Sequence, residues 1–157
     1  MMKPFAPAQE LPPDTDTDTD AGALAPRAKD VVAFPDGLPG FESCRSFVVL
    51  SLDDAPPLQC LQGLEGPRPA FLTIDPTLVL KHYRLLLSPA DRLRLDVRED
   101  DALLWMAIVT YGADETATVN LRAPLVINPR LMIGFQVMPH DSLYPLRHPL
   151  RAFCTPV

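Results

Sequence analysis

Beyond residue 30 the apolar positions fall into short runs, each closed by proline, glycine or acidic residues. "FVVLSL" (47–52) is apolar and rich in β-branched side chains, the composition of a strand. "LQCLQGL" (58–64) alternates, with Leu58, Cys60 and Gln62 on one side and Gln59, Leu61 and Gly63 on the other. "AFLTI" (70–74) predicts a further strand, closed by Asp75-Pro76. In "LLWMAIVTY" (103–111) seven apolar residues run without interruption, which predicts a central strand buried on both faces, with Trp105 in the core. "TVNL" (118–121), "LVIN" (125–128) and "LMIGFQVM" (131–138) follow, with Pro124 and Pro129 placed as for bends or edges. Gly134 inside the last run predicts a bulge or sharp bend.

One helix interrupts this pattern. In "SPADRLRL" (88–95), Ser88 is placed to cap, Pro89 suits the first helical position, and Asp91 is placed for its carboxylate to reach back to free amides. Many short strands with a single short helix predict an all-β, compact antiparallel β-barrel-like single domain over residues 28–150, with the helix near 88–95. "FPDGLPGFE" (34–42) reads as a shaped turn. Gly37 and Gly40 allow positive φ, Pro35 and Pro39 stiffen the path, and Phe34 and Phe41 anchor its ends. Leu38 faces either the core or a partner.

Composition adds a border. Residues 1–27 carry five acidic residues, including the "DTDTDTD" repeat, against Lys3 and Arg27, and read as a disordered tail. Residues 151–157 read as a short C-terminal tail. The rest of the chain has fifteen acidic and twelve basic residues, so no basic phosphate-binding footprint stands out and direct nucleic-acid binding is disfavoured. Three cysteines without a CxxC spacing, and an N-terminus without an apolar signal core, point to a reducing, cytoplasmic setting. The apolar run at 103–109 is far too short to cross a membrane.

The chemistry-bearing residues do not assemble into a reactive constellation. His82, His140 and His148 do not fall at metal-ligand spacing, and neither a phosphate loop nor a nucleophile elbow is present. His140-Asp141 is better explained as a polar turn than as a base with its orienting carboxylate. Cys44 and Cys60 read as small apolar residues. Arg92, Arg94 and Arg98, interleaved with Asp91, Asp96 and Glu99, read as a self-paired solvated face. No cofactor or metal is called for.

"FPDGLPGFE" (34–42), "LQGLEGPRPAFLTIDP" (61–76), "TVNLRAPLVIN" (118–128), "GFQV" (134–137) and "YPLRHPL" (144–150) occur in an order and spacing that resemble the flagellar assembly factor FliW family. The resemblance covers about residues 30–150. Gly63, Gly66 and Arg122 depart from the family pattern, which has a serine, an acidic residue and an apolar residue there. The resemblance implies a non-enzymatic cytoplasmic protein with two alternative partners, flagellin before export and the RNA-binding translational repressor CsrA. Binding CsrA would relieve repression of flagellin translation. The alternative is a small β-barrel enzyme or ligand-binding protein, which would show a deep polar pocket with converging titratable groups.

Six residues are candidates for the partner surface. Tyr144, Arg147 and His148 sit in the proline-flanked "YPLRHPL"; there, Tyr144 and Arg147 either meet a partner or clamp the chain's end onto the barrel. Gln62 and Glu65 lie at a strand end, and Leu38 is the turn's central apolar residue. Asn120 and Asn128, flanking "LRAPLVI", are expected to cap turns.

Overall fold

The computed structural model describes residues 30–114, 116–139 and 141–150. The expected tails at 1–27 and 151–157, and with them His140 and Cys154, lie outside the described residues. The strands are β1 (Val32–Ala33), β2 (Ser46–Ser51), β3 (Gln59–Gly63), β4 (Ala70–Ile74), β5 (Leu104–Tyr111), β6 (Ala117–Val119), β7 (Leu125–Asn128), β8 (Ile133–Gln136) and β9 (His148–Leu150). Helices α1 (Pro76–Val79) and α2 (Pro89–Arg94) lie between β4 and β5.

Seven strands close into a barrel in the order β4-β3-β2-β1-β8-β7-β5, sealed by pairing of β4 with β5. The barrel is antiparallel apart from β1 and β8, which pair in parallel at Ala33 and Ile133. Geometry demands such an exception, because an odd number of strands cannot alternate in direction all the way round a ring. β6 and β9 continue the sheet outside the ring. β5 is long enough to serve both: Leu104–Met106 pair with β7, and Val109–Tyr111 pair with β6.

The interior is filled by Phe34, Leu38, Phe47, Leu61, Phe71, Met106, Leu125 and Ile127, among others. Side chains from strands that are not neighbours in the sheet can meet in this way only inside the ring. Phe34 and Phe47 pack edge to face, 5.1 Å apart and inclined at 73°. Two further apolar clusters cover outer faces: one around Leu72, Ile74, Val109, Val119 and Leu121, the other around Leu95, Val126, Phe135 and Val137.

The 34–42 segment folds into this interior. Phe34 and Leu38 are 0% and 2% exposed. The amides of Gly37, Phe41 and Cys44 donate to the carbonyls of Phe34, Leu38 and Phe41, which winds the turn tightly. Gly37 has φ of +65°, and a Cβ there would stand 2.6 Å from Glu42 Cα, so backbone angle and space both demand glycine.

Three local expectations change. Gly134 sits in regular register opposite Ile127, with no bulge. It is glycine because the Phe34 ring fills the space, Cζ lying 2.8 Å from where a Cβ would be. β5 is buried on both faces only in its middle; Leu104 is 49% exposed and Trp105 half-buried, because this end lies in a shallow groove shared with Val49, Gln59 and Thr77. In α2, Ser88 Oγ accepts from the Asp91 amide at 3.0 Å as expected, but the Asp91 carboxylate turns to Arg94 at 2.8 Å instead of reaching back. The Arg94 guanidinium also reaches Asp36 at 3.0 Å and lies 4.3 Å from the Phe135 ring centre.

A second clasp ties the segment after α2 to the β7–β8 turn. Asn128, fully buried, donates to Leu95 O and Asp101 Oδ2 and accepts from the Arg130 amide. Arg130 Nε meets Asp101 Oδ1 at 3.0 Å. Hydrogen bonds from Arg130 and from the Arg98 amide pull the Asp101 pKa down to about 2. No described helix is long and apolar enough to cross a membrane.

Candidate partner-binding surface

The candidate residues divide into two groups. Tyr144, Arg147 and His148 belong to the segment leading into and through β9. This stretch is not wholly irregular: His148 pairs with Val119 of β6, which half-buries it. Tyr144 is held from three sides. Its ring lies 4.4 Å from that of Tyr83, its hydroxyl accepts from the Arg84 amide at 2.9 Å, and its carbonyl accepts from Arg122 Nε at 2.9 Å. Tyr83 in turn donates its hydroxyl to Leu121 O at 2.7 Å. Burial, and secondarily the Tyr144 neighbour, pushes the Tyr83 phenol above its ordinary value, so it stays a donor across the physiological range. Asn120 caps the turn beneath, its Oδ1 accepting from the amides of Arg122 and Ala123.

Arg147 stands free of this clamp. It is exposed and, with Leu146, forms one wall of an open groove of about 670 Å³. The groove's other lining includes Ile108, Thr110, Thr118 and Asn120. Within this segment Tyr144 clamps the chain onto the barrel, while Arg147 projects into solvent.

The second group lies at the other side of the sheet order, near the ends of β2 and β3. Glu65 is exposed, and its carboxylate accepts from the Arg45 amide at 2.8 Å and Ser46 Oγ at 3.2 Å, fastening the β3–β4 connection to β2. Gln62 is buried at 6% exposure, its amide donating to Gly63 O and Arg68 O. Leu38 is core, as described above. Neither Gln62 nor Leu38 presents a surface in this structure: one satisfies buried carbonyls and the other fills the barrel. Gly63 is part of the same packing, since a Cβ there would stand 2.7 Å from Cys44 Sγ and from Pro69 Cδ. No described hydrogen bond or ring contact joins the two groups.

Sequence reasoning did not single out Tyr83 or Arg84, and it noted Arg122 only as a departure from a pattern. Tyr83 and Arg84 sit far from "YPLRHPL" in the chain, and nothing local signals that they meet it. Among the described residues, no three histidine, cysteine, aspartate or glutamate side chains are grouped to hold a metal ion. The groove beside Arg147 holds Asp114 as its acidic side chain among the described residues. The Asp114 carboxylate is occupied by the hydroxyl and amide of Thr116, which lower its pKa.

Fold and surface together define a small closed β-barrel with a packed interior and an open groove on its outer sheet. The chain belongs to the FliW family, whose model, described as FliW protein, matches residues 15–150. It is similar to the flagellar assembly factor FliW of Syntrophotalea carbinolica, with 36% identity over 124 residues, 79% of this chain and 89% of that protein. FliW of Thermosipho africanus is 35% identical over 137 residues, 86% and 94% of the two chains. FliW of Bacillus subtilis is 31% identical over 130 residues, 82% and 91% of the two chains. A crystal structure of the flagellar assembly factor FliW superposes with a TM-score of 0.75 at 30% identity, covering 84% of this chain and 93% of that one.

Proposed function

We propose that this protein is a non-enzymatic, cytoplasmic regulator of flagellar assembly that binds flagellin and, alternatively, CsrA. Bound to CsrA, it relieves repression of flagellin translation; occupied by flagellin, it lets repression resume. The observation that carries the reading is membership of a family of flagellar assembly factors across nearly the whole described domain. A barrel interior filled with aromatic and aliphatic side chains supports it, because it leaves surface, not cavity, as the means of recognition. Tyr144, Arg147, His148 and Glu65 remain the proposed contact residues. Pull-down of the full chain against purified flagellin and CsrA tests the reading, with a second arm lacking residues 1–27. Capture of both is expected, and failure to capture either one overturns it.

The net charge of −6 suits a basic RNA-binding partner. In this proposal the acidic face lowers the affinity of CsrA for RNA through its field, without filling the RNA site. Competition binding should then show a salt-dependent, incomplete exclusion of RNA. Fully competitive behaviour insensitive to salt would sink the electrostatic mechanism.

A further inference from the structure

Two described arginines form ion pairs. Arg94 pairs with Asp36 and Asp91, and Arg130 with Asp96 and Asp101. Arg84, Arg122 and Arg147 meet or neighbour Tyr144; all three are exposed and, like most described cations, none forms an ion pair with another described residue. Two of them are tied to the same residue, Arg84 through its backbone amide to the Tyr144 hydroxyl and Arg122 through Nε to the Tyr144 backbone carbonyl. Arg122 is thus held in place before any partner arrives, which lowers the ordering cost of binding. The third, Arg147, borders the groove of about 670 Å³ over β5 and β6.

The segment around Tyr144 carries apolar side chains that the fold leaves in water. Leu143 is 94% exposed and Leu146, which lines the groove, is 52% exposed. Cations left without acidic partners beside exposed leucines match a ligand that brings both carboxylates and an apolar side chain. A bare phosphate backbone would use the arginines and leave the leucines wet. We propose that the groove and basic rim beside Tyr144 dock an acidic, leucine-bearing segment of another protein. Its carboxylates meet Arg84, Arg122 and Arg147, and its apolar side chain covers Leu146.

Fluorescence anisotropy of the full chain with a labelled peptide of alternating glutamate and leucine tests this. Binding is expected, weakening as salt rises. Arg147→Glu should weaken it about tenfold, from reversal of one close charge pair. Arg147→Lys should keep most of it, and Leu146→Ser should weaken it about fivefold through lost apolar burial. Arg92→Glu, on α2, should leave it unchanged. Four results would each overturn the proposal: absence of binding; equal binding of a lysine–leucine or glutamate–serine peptide; displacement by a single-stranded oligonucleotide with the same Arg147 dependence; or binding about tenfold tighter when Asp14, Asp16, Asp18 and Asp20 are made asparagine. The last would make the chain's own acidic segment the occupant. The peptide experiment is independent of whether flagellin and CsrA are captured, so either result can fail alone.

Discussion

The 34–42 turn and the 143–148 segment are written in similar letters and do opposite things. Each has proline, leucine and at least one aromatic residue in a short non-repetitive stretch. In the first, Phe34 and Leu38 are buried almost completely. In the second, Leu143 and Leu146 face solvent while the aromatic residue alone packs inward, against Tyr83. The difference lies in the backbone. Gly37 and Gly40, both at positive φ, fold the first turn back on itself so that its apolar side chains converge. The second segment has no glycine and runs out into an outer strand, β9, beyond the closed ring. An apolar loop is thus core or surface according to whether its turns bring the side chains to one side.

The comparison can be broken at its strongest point first. Phe34→Ala empties the space over Gly134 and should cost about 3–5 kcal/mol, read by denaturant unfolding. A cost near zero would mean the turn is not seated in the barrel. Gly37→Ala places a methyl group against Glu42 at a strained φ, and about 1–3 kcal/mol of lost stability is expected by the same measurement. Acid sensitivity should trace to the clasp between the segment after α2 and the β7–β8 turn. The folded Asp101 pKa of about 2 lies below the ordinary 3.8, so its contribution is complete above pH 3.8 and fades as pH falls towards 2. Stability of the unaltered chain should therefore drop over that interval, and that part of the drop should vanish in Asp101→Asn. At the second segment, Tyr144→Phe removes one hydrogen bond and should cost about 0.5–1 kcal/mol. Leu143→Ser should change stability by less than about 0.5 kcal/mol, which thermal melting would register as no shift. A larger loss there would place Leu143 in the fold after all.

Much of the barrel was legible because its strands carry their pattern locally. β4 and β7 fall where "AFLTI" and "LVIN" predict them, and the cap of α2 is the predicted Ser88. Asn120 and Asn128 cap turns as their type suggests. The elements that escaped, β1, β9 and α1, are short, with two to four residues each. Segments that short carry little periodicity of their own; β1 and β9 are strands because a distant partner supplies hydrogen bonds. The candidate surface was half legible for a related reason. "YPLRHPL" marked itself by composition, whereas its partners Tyr83, Arg84 and Arg122 come from elsewhere in the chain. Gln62 and Leu38 were drawn to the surface by their type or their loop, and the packing places both inside.

Local preference along the chain was enough to specify an all-β barrel with one capped helix, a glycine-shaped turn and an ordered set of motifs. These features depend on neighbours a few residues apart, and their cost or gain is the same wherever the segment lies. Which way an apolar loop faces, why Gly134 and Gly63 carry no side chain, and which arginines are left without acids depend on contacts between residues far apart in sequence. Ring closure decides them: sealing seven strands required one parallel pair, put Phe34 over Gly134, and left β6 and β9 outside with their groove and unpaired cations.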